Sequence, residues 1–142
     1  LSEFKLKIET LLADPVLAER VRFTGHVPNV DEYLRAADIC VLASDREGLP
    51  NSILEAMSSR TAVLTTRYRG LSPEIGRPGH EFVLCERDAE SIAIALNELL
   101  SDSARIKELA EAGHRYVHEN MDLDRSIDAY AAIYRELAGL RA

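Results

Sequence analysis

The sequence predicts an α/β fold, a parallel sheet of about four strands with flanking helices and an all-helical C-terminus. Three observations lead there. Short apolar runs at residues 21–24, 39–43, 62–65 and 81–85 alternate with stretches of helical periodicity. From Asp88 onward the helical period continues without another strand-like run. The 142 residues give room for one domain and little more, and 46% hydrophobic with 29% charged residues is enough to fill its core.

The elements follow in order. Residues 3–13 read as an amphipathic helix with Phe4, Ile8, Leu11 and Leu12 on one side, interrupted at Asp14-Pro15. Val21-Arg-Phe-Thr24 reads as a short strand ending at Gly25. Residues 29–37 form a short helix with Asn29 as its cap. Residues 39–43 are the most apolar strand, 52–59 the helix after it, 62–65 a third strand and 81–85 a fourth. Asp88 caps a helix carrying Ile92, Leu96, Leu99 and Leu100. Two more helices cover about 103–118 and 122–137, the last with the stripe Ile127, Tyr130, Tyr134, Leu137, read as a packing face. This divides the chain into a leading helix (1–20), βα units (21–87) and C-terminal helices (88–142). Strands alternating with helices imply right-handed crossovers and a sheet covered on both faces. Ligands of such sheets bind beyond the carboxyl ends of the strands.

Charge and composition narrow the function. A net charge of −7, with no cluster of lysine or arginine, argues against a nucleic-acid or anionic-membrane surface. No apolar run approaches the roughly 20 residues that span a bilayer, and no signal peptide opens the chain. Cys40 and Cys85 lie in strand-like runs and read as reduced core thiols. A cytoplasmic protein, or one peripheral to the inner membrane face, is expected. Leu1 stands where no methionine starts the chain, inside a helical pattern, which reads as a piece of something longer.

The stretch DREGLPNSILEAM, residues 45–57, leaves the carboxyl end of strand 39–43 and carries two carboxylates, Glu47 and Glu55. Two readings stand side by side. In the first, Ser52 and Glu55 form a capping box, Glu55 gains about 0.3–1 kcal/mol from the helix dipole, and Glu47 sits in a solvated turn. In the second, amides of about Leu49, Asn51 and Ser52 point out of the first helical turn and take a phosphate oxygen. Carboxylates beside such an anion site would hold vicinal hydroxyls. Two of them flanking a diphosphate match the order of parts in a nucleotide sugar.

The run FTGHVPNVDEYLRAADICVLASDREGLPNSILEAM, the later Pro73-Glu74 loop and the segment from Asp88 to Asp102 resemble the C-terminal part of family 4 glycosyltransferases. These are two-domain retaining enzymes of GT-B architecture, with a Rossmann-like C-terminal domain. The resemblance runs from about Val21 to Leu137 and centres on Glu47 and Glu55, with seven residues between them, and on Gly48 and Ala56-Met57. It implies that Glu55 binds the donor's ribose hydroxyls and that Glu47 orients the transferred sugar. Gly48 would let the backbone approach the donor, and Leu49, Asn51 and Ser52 would offer amides to the diphosphate. Gly25, His26 and Val27 would border the nucleobase. The donor, a UDP or GDP sugar, is a substrate; no cofactor and no metal are implied. The setting would be polysaccharide biosynthesis, with a glycan or lipid-linked acceptor held by an N-terminal domain absent from these residues. The fragment would then be an incomplete GT-B C-terminal domain, inactive alone. Its sheet order would be inherited from 3-2-1-4-5-6 with only strands 3 to 6 present, leaving residues 21–24 either gapped from or docked beside strand 39–43.

The sequence departs from that family locally. Arg60 and Ala62 stand where a glycine and a proline are usual, and arginine in a left-handed helix end costs roughly 1 kcal/mol. Arg69-Gly70 replaces two glycines, so that Arg69 either crowds the pocket or contacts phosphate. Residues 71–74 are one residue longer than usual, and Glu81 replaces a glycine. His114 and His118 lie four apart on one helical face after Glu111, without the His-Glu-x-x-His pattern of a zinc site. His26 and His80 lack a nucleophile partner, and Ser44 reads as a phosphate or loop contact. Two alternatives remain: another GT-B enzyme, such as a nucleotide-sugar epimerase or sucrose-type synthase, and a non-catalytic interaction module.

Overall fold

A computed structural model describes residues 3–139, apart from the side chains of residues 3–5. Leu1 and the Phe4 side chain thus lie outside the described residues. The elements are α1 (Glu3–Leu11), α2 (Pro15–Arg20), α3 (Val30–Ala36), β1 (Ile39–Leu42), α4 (Asn51–Ser58), β2 (Ala62–Thr66), a 3-10 turn (Pro73–Ile75), β3 (Val83–Cys85), α5 (Ala89–Leu100), α6 (Ser103–Asn120) and α7 (Leu123–Leu137).

The three strands form one parallel sheet in the order β1-β2-β3, with Ile39 opposite Ala62 and Leu64 opposite Val83. All five residues of central β2 are buried because both faces are covered. Successive strand residues face opposite sides. Val63 therefore joins Ile53, Ala56 and Met57 of α4 with Ile75 and Phe82, while Ala62 and Leu64 meet Ala95 and Leu99 of α5 and Leu109 of α6. Each fully buried large side chain here, such as Ile53, Leu64, Phe82 or Leu109, contributes about 1.5–3 kcal/mol relative to exposure. At Gly113 of α6 a Cβ would lie 2.9 Å from Met57 Cγ, so glycine lets α6 run close against α4. Thr61 Oγ1 donates to the Leu34 carbonyl at 2.6 Å, fixing α3 to the start of β2. Cys40 and Cys85 are free thiols, each raised in pKa first by burial, as reduced partly buried cysteines should be.

Four expectations are corrected. Residues 21–24 form no ladder, so the sheet has three strands; an alternating pattern gives extended backbone, and without a partner it stays unpaired. Asp14-Pro15 ends α1 but also starts α2: the Asp14 carboxylate accepts from Val16 N at 2.8 Å, and proline fits the first helical position. Asn29 precedes α3 without capping it, because its side-chain amide donates instead to Glu32 Oε2 at 2.8 Å. The α7 stripe is not packed: Ile127, Tyr130, Tyr134 and Leu137 are between 53% and 79% exposed, and α7 buries no residue. The expected Asp88 cap forms, and Asp102 and Asp122 cap the next two helices in the same way, each accepting from a first-turn amide.

Candidate functional site

The loop between β1 and α4 is built against the segment that follows β2. Arg69 N donates to the Asp45 carbonyl at 2.9 Å and Glu47 N donates to the Arg69 carbonyl at 3.2 Å, a short parallel bridge beyond the strands. The close approach requires Gly70, whose φ is +96° and whose added Cβ would lie 2.2 Å from the Glu47 carbonyl oxygen. Glu47 is thereby fixed at the carboxyl ends of β1 and β2. Its side chain is half-buried, and Oε1 accepts from the Ser44 hydroxyl at 2.6 Å. Ser44 is thus the loop contact that the sequence allowed.

Pro50 then sets the start of α4. It occupies the N-cap position with no side-chain cap bond, and the first amides to close the helix are those of Ile53 and Leu54, both onto the Pro50 carbonyl. Asn51 and Ser52 therefore sit at the first two helical positions with amides that have no intrahelical acceptor. This displaces the expected capping box. Ser52 lies two residues inside the helix, Glu55 lies beyond the first turn, and no acidic residue occupies that turn. The exposed Glu55 carboxylate has no side-chain partner among the described residues.

Glu55 instead lines a cavity of about 570 Å³ between α3 and α4, together with Pro28, Val30, Leu34, Ser58 and Arg60. Val27, half-buried, adjoins this cavity through Pro28, while Gly25 (φ +64°) and His26 are exposed and do not line it. Gly48 and Leu49 are exposed at the loop tip, and no atom lies within 4 Å of a Cβ placed on Gly48. The structure thus gathers Glu47, Gly48, Leu49, Asn51 and Ser52 around one helix end. Glu55 and the neighbour of Val27 share the adjoining cavity.

Cations surround the rim. Asp45 pairs with Arg69 and with Arg87, each at 3.0 Å, and Arg67 pairs with Glu86 at 3.1 Å, all exposed. Arg69 therefore neither fills the loop interior nor stands free; its guanidinium is held outward by Asp45. Arg60 takes φ +58°, the left-handed helix-end conformation expected from the sequence, and pairs with Glu111 at 3.3 Å. Glu81, another departure, is 4% exposed; its carboxylate accepts from Arg77 N at 2.6 Å and lies 2.6 Å from His80 Nδ1. Burial pushes its pKa up, but the Arg77 amide and guanidinium and then His80 outweigh that and hold it below the usual carboxylate range. His114 and His118 meet edge to face at 4.3 Å, and His114 Nδ1 lies 2.9 Å from the Ser58 carbonyl.

Sequence reasoning missed Arg87 and Tyr68. Arg87 follows β3 and reaches Asp45 only through the sheet order. Tyr68 is 5% exposed with its hydroxyl unpaired, and only the tertiary fold reveals this.

Residues 3–102 match the family described as glycosyl transferases group 1. The chain is 31% identical over 135 residues to the lipopolysaccharide core biosynthesis mannosyltransferase LpcC of Rhizobium leguminosarum bv. viciae, which covers 95% of this chain and 38% of that protein. It is 30% identical over 122 residues to the N-acetyl-alpha-D-glucosaminyl L-malate synthase of Bacillus anthracis, covering 85% and 32%. Among solved structures it superposes on the C-terminal domain of a glycosyl transferase group 1 family protein (LpcC) from Francisella tularensis with a TM-score of 0.74 and 30% identity, over 86% of this chain and 64% of that one. For a sucrose-phosphate synthase (tll1590) from Thermosynechococcus elongatus the TM-score is 0.83 and the identity 27%, over 95% of this chain and 34% of that one. The chain spans about a third of the length of the curated relatives it matches.

Proposed function

The chain belongs to the group 1 glycosyltransferases, and we propose that it is the donor-binding part of a retaining enzyme that moves a sugar from a nucleoside diphosphate sugar to an acceptor hydroxyl. One observation carries the reading. Two carboxylates flank the open amides of α4, and Glu55 is left free of the capping duty that would explain it structurally.

In this reading the amides of Leu49, Asn51 and Ser52 take the diphosphate, where the helix dipole favours negative charge. Glu55 takes the ribose hydroxyls inside the cavity, with the base toward Gly25, His26 and Val27. Glu47 takes hydroxyls of the transferred sugar. The bond from the anomeric carbon to the diphosphate breaks, the acceptor oxygen bonds that carbon on the same face, and the acceptor proton passes to the leaving diphosphate. The protein supplies position and charge stabilisation. No cofactor is called for and no metal ion, with Arg69 and Arg87 at the rim adding positive charge. The acceptor, a glycan or a lipid-linked one, belongs to a domain outside these residues, so the fragment alone turns nothing over. A cytoplasmic enzyme, peripheral to the inner membrane face where the acceptor is lipid-linked, fits this chemistry; no described helix is long and apolar enough to cross a membrane. A second reading, transfer to a phosphorylated sugar as in a sucrose-type synthase, is favoured by the likeness to the Thermosynechococcus protein. Acceptor assays with sugar phosphates against lipid-linked glycans separate the two.

Calorimetry with UDP, GDP and ADP on the natural polypeptide that carries these residues tests the site. One of the three should bind, and Glu55→Ala should weaken it at least tenfold. No affinity for any of them, or alanine at positions 47 and 55 changing only stability, would leave a non-catalytic module.

A further inference from the structure

The donor site leaves one group unexplained. Among the described residues, the Tyr68 hydroxyl is the buried side-chain polar atom with no hydrogen-bond partner. A buried hydroxyl is normally paired, and a phenylalanine would fill the same space without the penalty. The location is specific. Tyr68 immediately precedes Arg69, whose amide and carbonyl hold the backbone of Asp45 and Glu47. Two residues on, Gly70 touches the Glu47 carbonyl. The Glu47 charge acts on the phenol, adding to burial in raising its pKa, so the phenol is neutral and able to donate at neutral pH.

What the buried phenolic oxygen lacks is an acceptor on its own face of the loop pair, where the Arg46–Arg69 bridge sets residues 45 and 47 beside 68 and 70. Glu47 meets that requirement. It is half-buried, it rests on Ser44 through Oε1 alone, and a carboxylate has lone pairs for about four hydrogen bonds.

We propose that Tyr68 is a positioning residue for Glu47, its hydroxyl donating to the Glu47 carboxylate when that carboxylate turns to the hydroxyls of the donor sugar. An O–H donor to a carboxylate is the short, strong kind of hydrogen bond, which fixes one carboxylate orientation. Tyr68 thus acts on the sugar half of the donor and not on the nucleotide half. The inference rests on the role proposed above for Glu47.

The test is Tyr68→Phe in the natural polypeptide, with UDP-glucose, UDP-N-acetylglucosamine and GDP-mannose as probes beside UDP and GDP. The melting temperature without ligand should stay the same or rise. Affinity for the nucleoside diphosphate should remain within twofold of wild type, while affinity for the nucleotide sugar that wild type prefers should fall about threefold to tenfold. On a Glu47→Ala background Tyr68→Phe should add less than twofold. A sugar-specific loss under twofold, an equal loss for the bare diphosphate, a full effect without Glu47, or a lowered melting temperature would each overturn the proposal. If wild type binds neither nucleotides nor their sugars, the proposed function fails and this inference with it. If wild type binds and Tyr68→Phe matches it, only this inference fails.

Discussion

Replacing Gly70 by alanine puts the geometry of the Glu47 loop to a direct test. Two costs are visible. A non-glycine residue in the left-handed region loses about 1–2 kcal/mol, and φ +96° lies outside the favourable centre of that region. The new Cβ would also lie 2.2 Å from the Glu47 carbonyl oxygen, where real Cβ atoms essentially never come under 3.0 Å, so one side must move by about 0.8 Å. That movement strains the bonds Glu47 N to Arg69 O and Arg69 N to Asp45 O, each worth about 1 kcal/mol. A loss of about 2–4 kcal/mol is expected in urea unfolding, the denaturation midpoint falling at constant slope. Part of the strain will appear as displacement of Glu47, and misplacement by about 1 Å costs up to 100-fold in function. Nucleotide-sugar affinity measured by calorimetry should fall with it. Gly48→Ala is the control. No atom lies within 4 Å of its added Cβ and its φ is not in the left-handed region, so stability should stay within about 0.5 kcal/mol. Gly70→Ala with both stability and affinity unchanged would refute the packing described for this loop.

Three further outcomes are expected. Ser52→Ala should cost under about 0.5 kcal/mol, since Ser52 caps nothing, whereas a working cap would cost about 1 kcal/mol in the same melt. Arg60→Gly should be more stable than Arg60→Ala by about 1 kcal/mol in denaturant unfolding: both lose the Glu111 pair, but only glycine relieves φ +58°; alanine equal to glycine would contradict the left-handed assignment. For Glu81 the folded pKa lies below the ordinary glutamate value, so its stabilising contribution is complete above that ordinary value and is lost as pH falls through the folded one. Melts between pH 7 and pH 3 should therefore show a steeper acid loss in wild type than in Glu81→Gln, which starts about 1–3 kcal/mol less stable.

What could be read in advance depended on how local its cause was. The run at 62–65 announced a strand because both faces are buried, and the Asp88 cap was visible because capping is settled within four residues. Val21-Arg-Phe-Thr24 has the same alternation, but a strand exists only in a ladder, and its pairing partner is not encoded in those four residues. Asp14-Pro15 was ambiguous because one dipeptide serves both to stop a helix and to start one. Glu47 and Glu55 were found by their spacing and by the loop's place at a strand end. The capping alternative failed because Pro50 starts α4 earlier than Ser52 could. Tyr68 and Arg87 came from neither pattern; their importance arises from loops that follow different strands and meet only in the sheet.

The bare side of α7 has a dynamic consequence. Fifteen residues with no buried side chain draw their cohesion from local helix energetics, which are marginal at about that length. α7 should therefore fray and reclose many times while β2 stays shut, so that its amides take up deuterium long before those of Ala62–Thr66. A ligand or domain that sealed Tyr130 and Tyr134 would register as slowed exchange along this one segment.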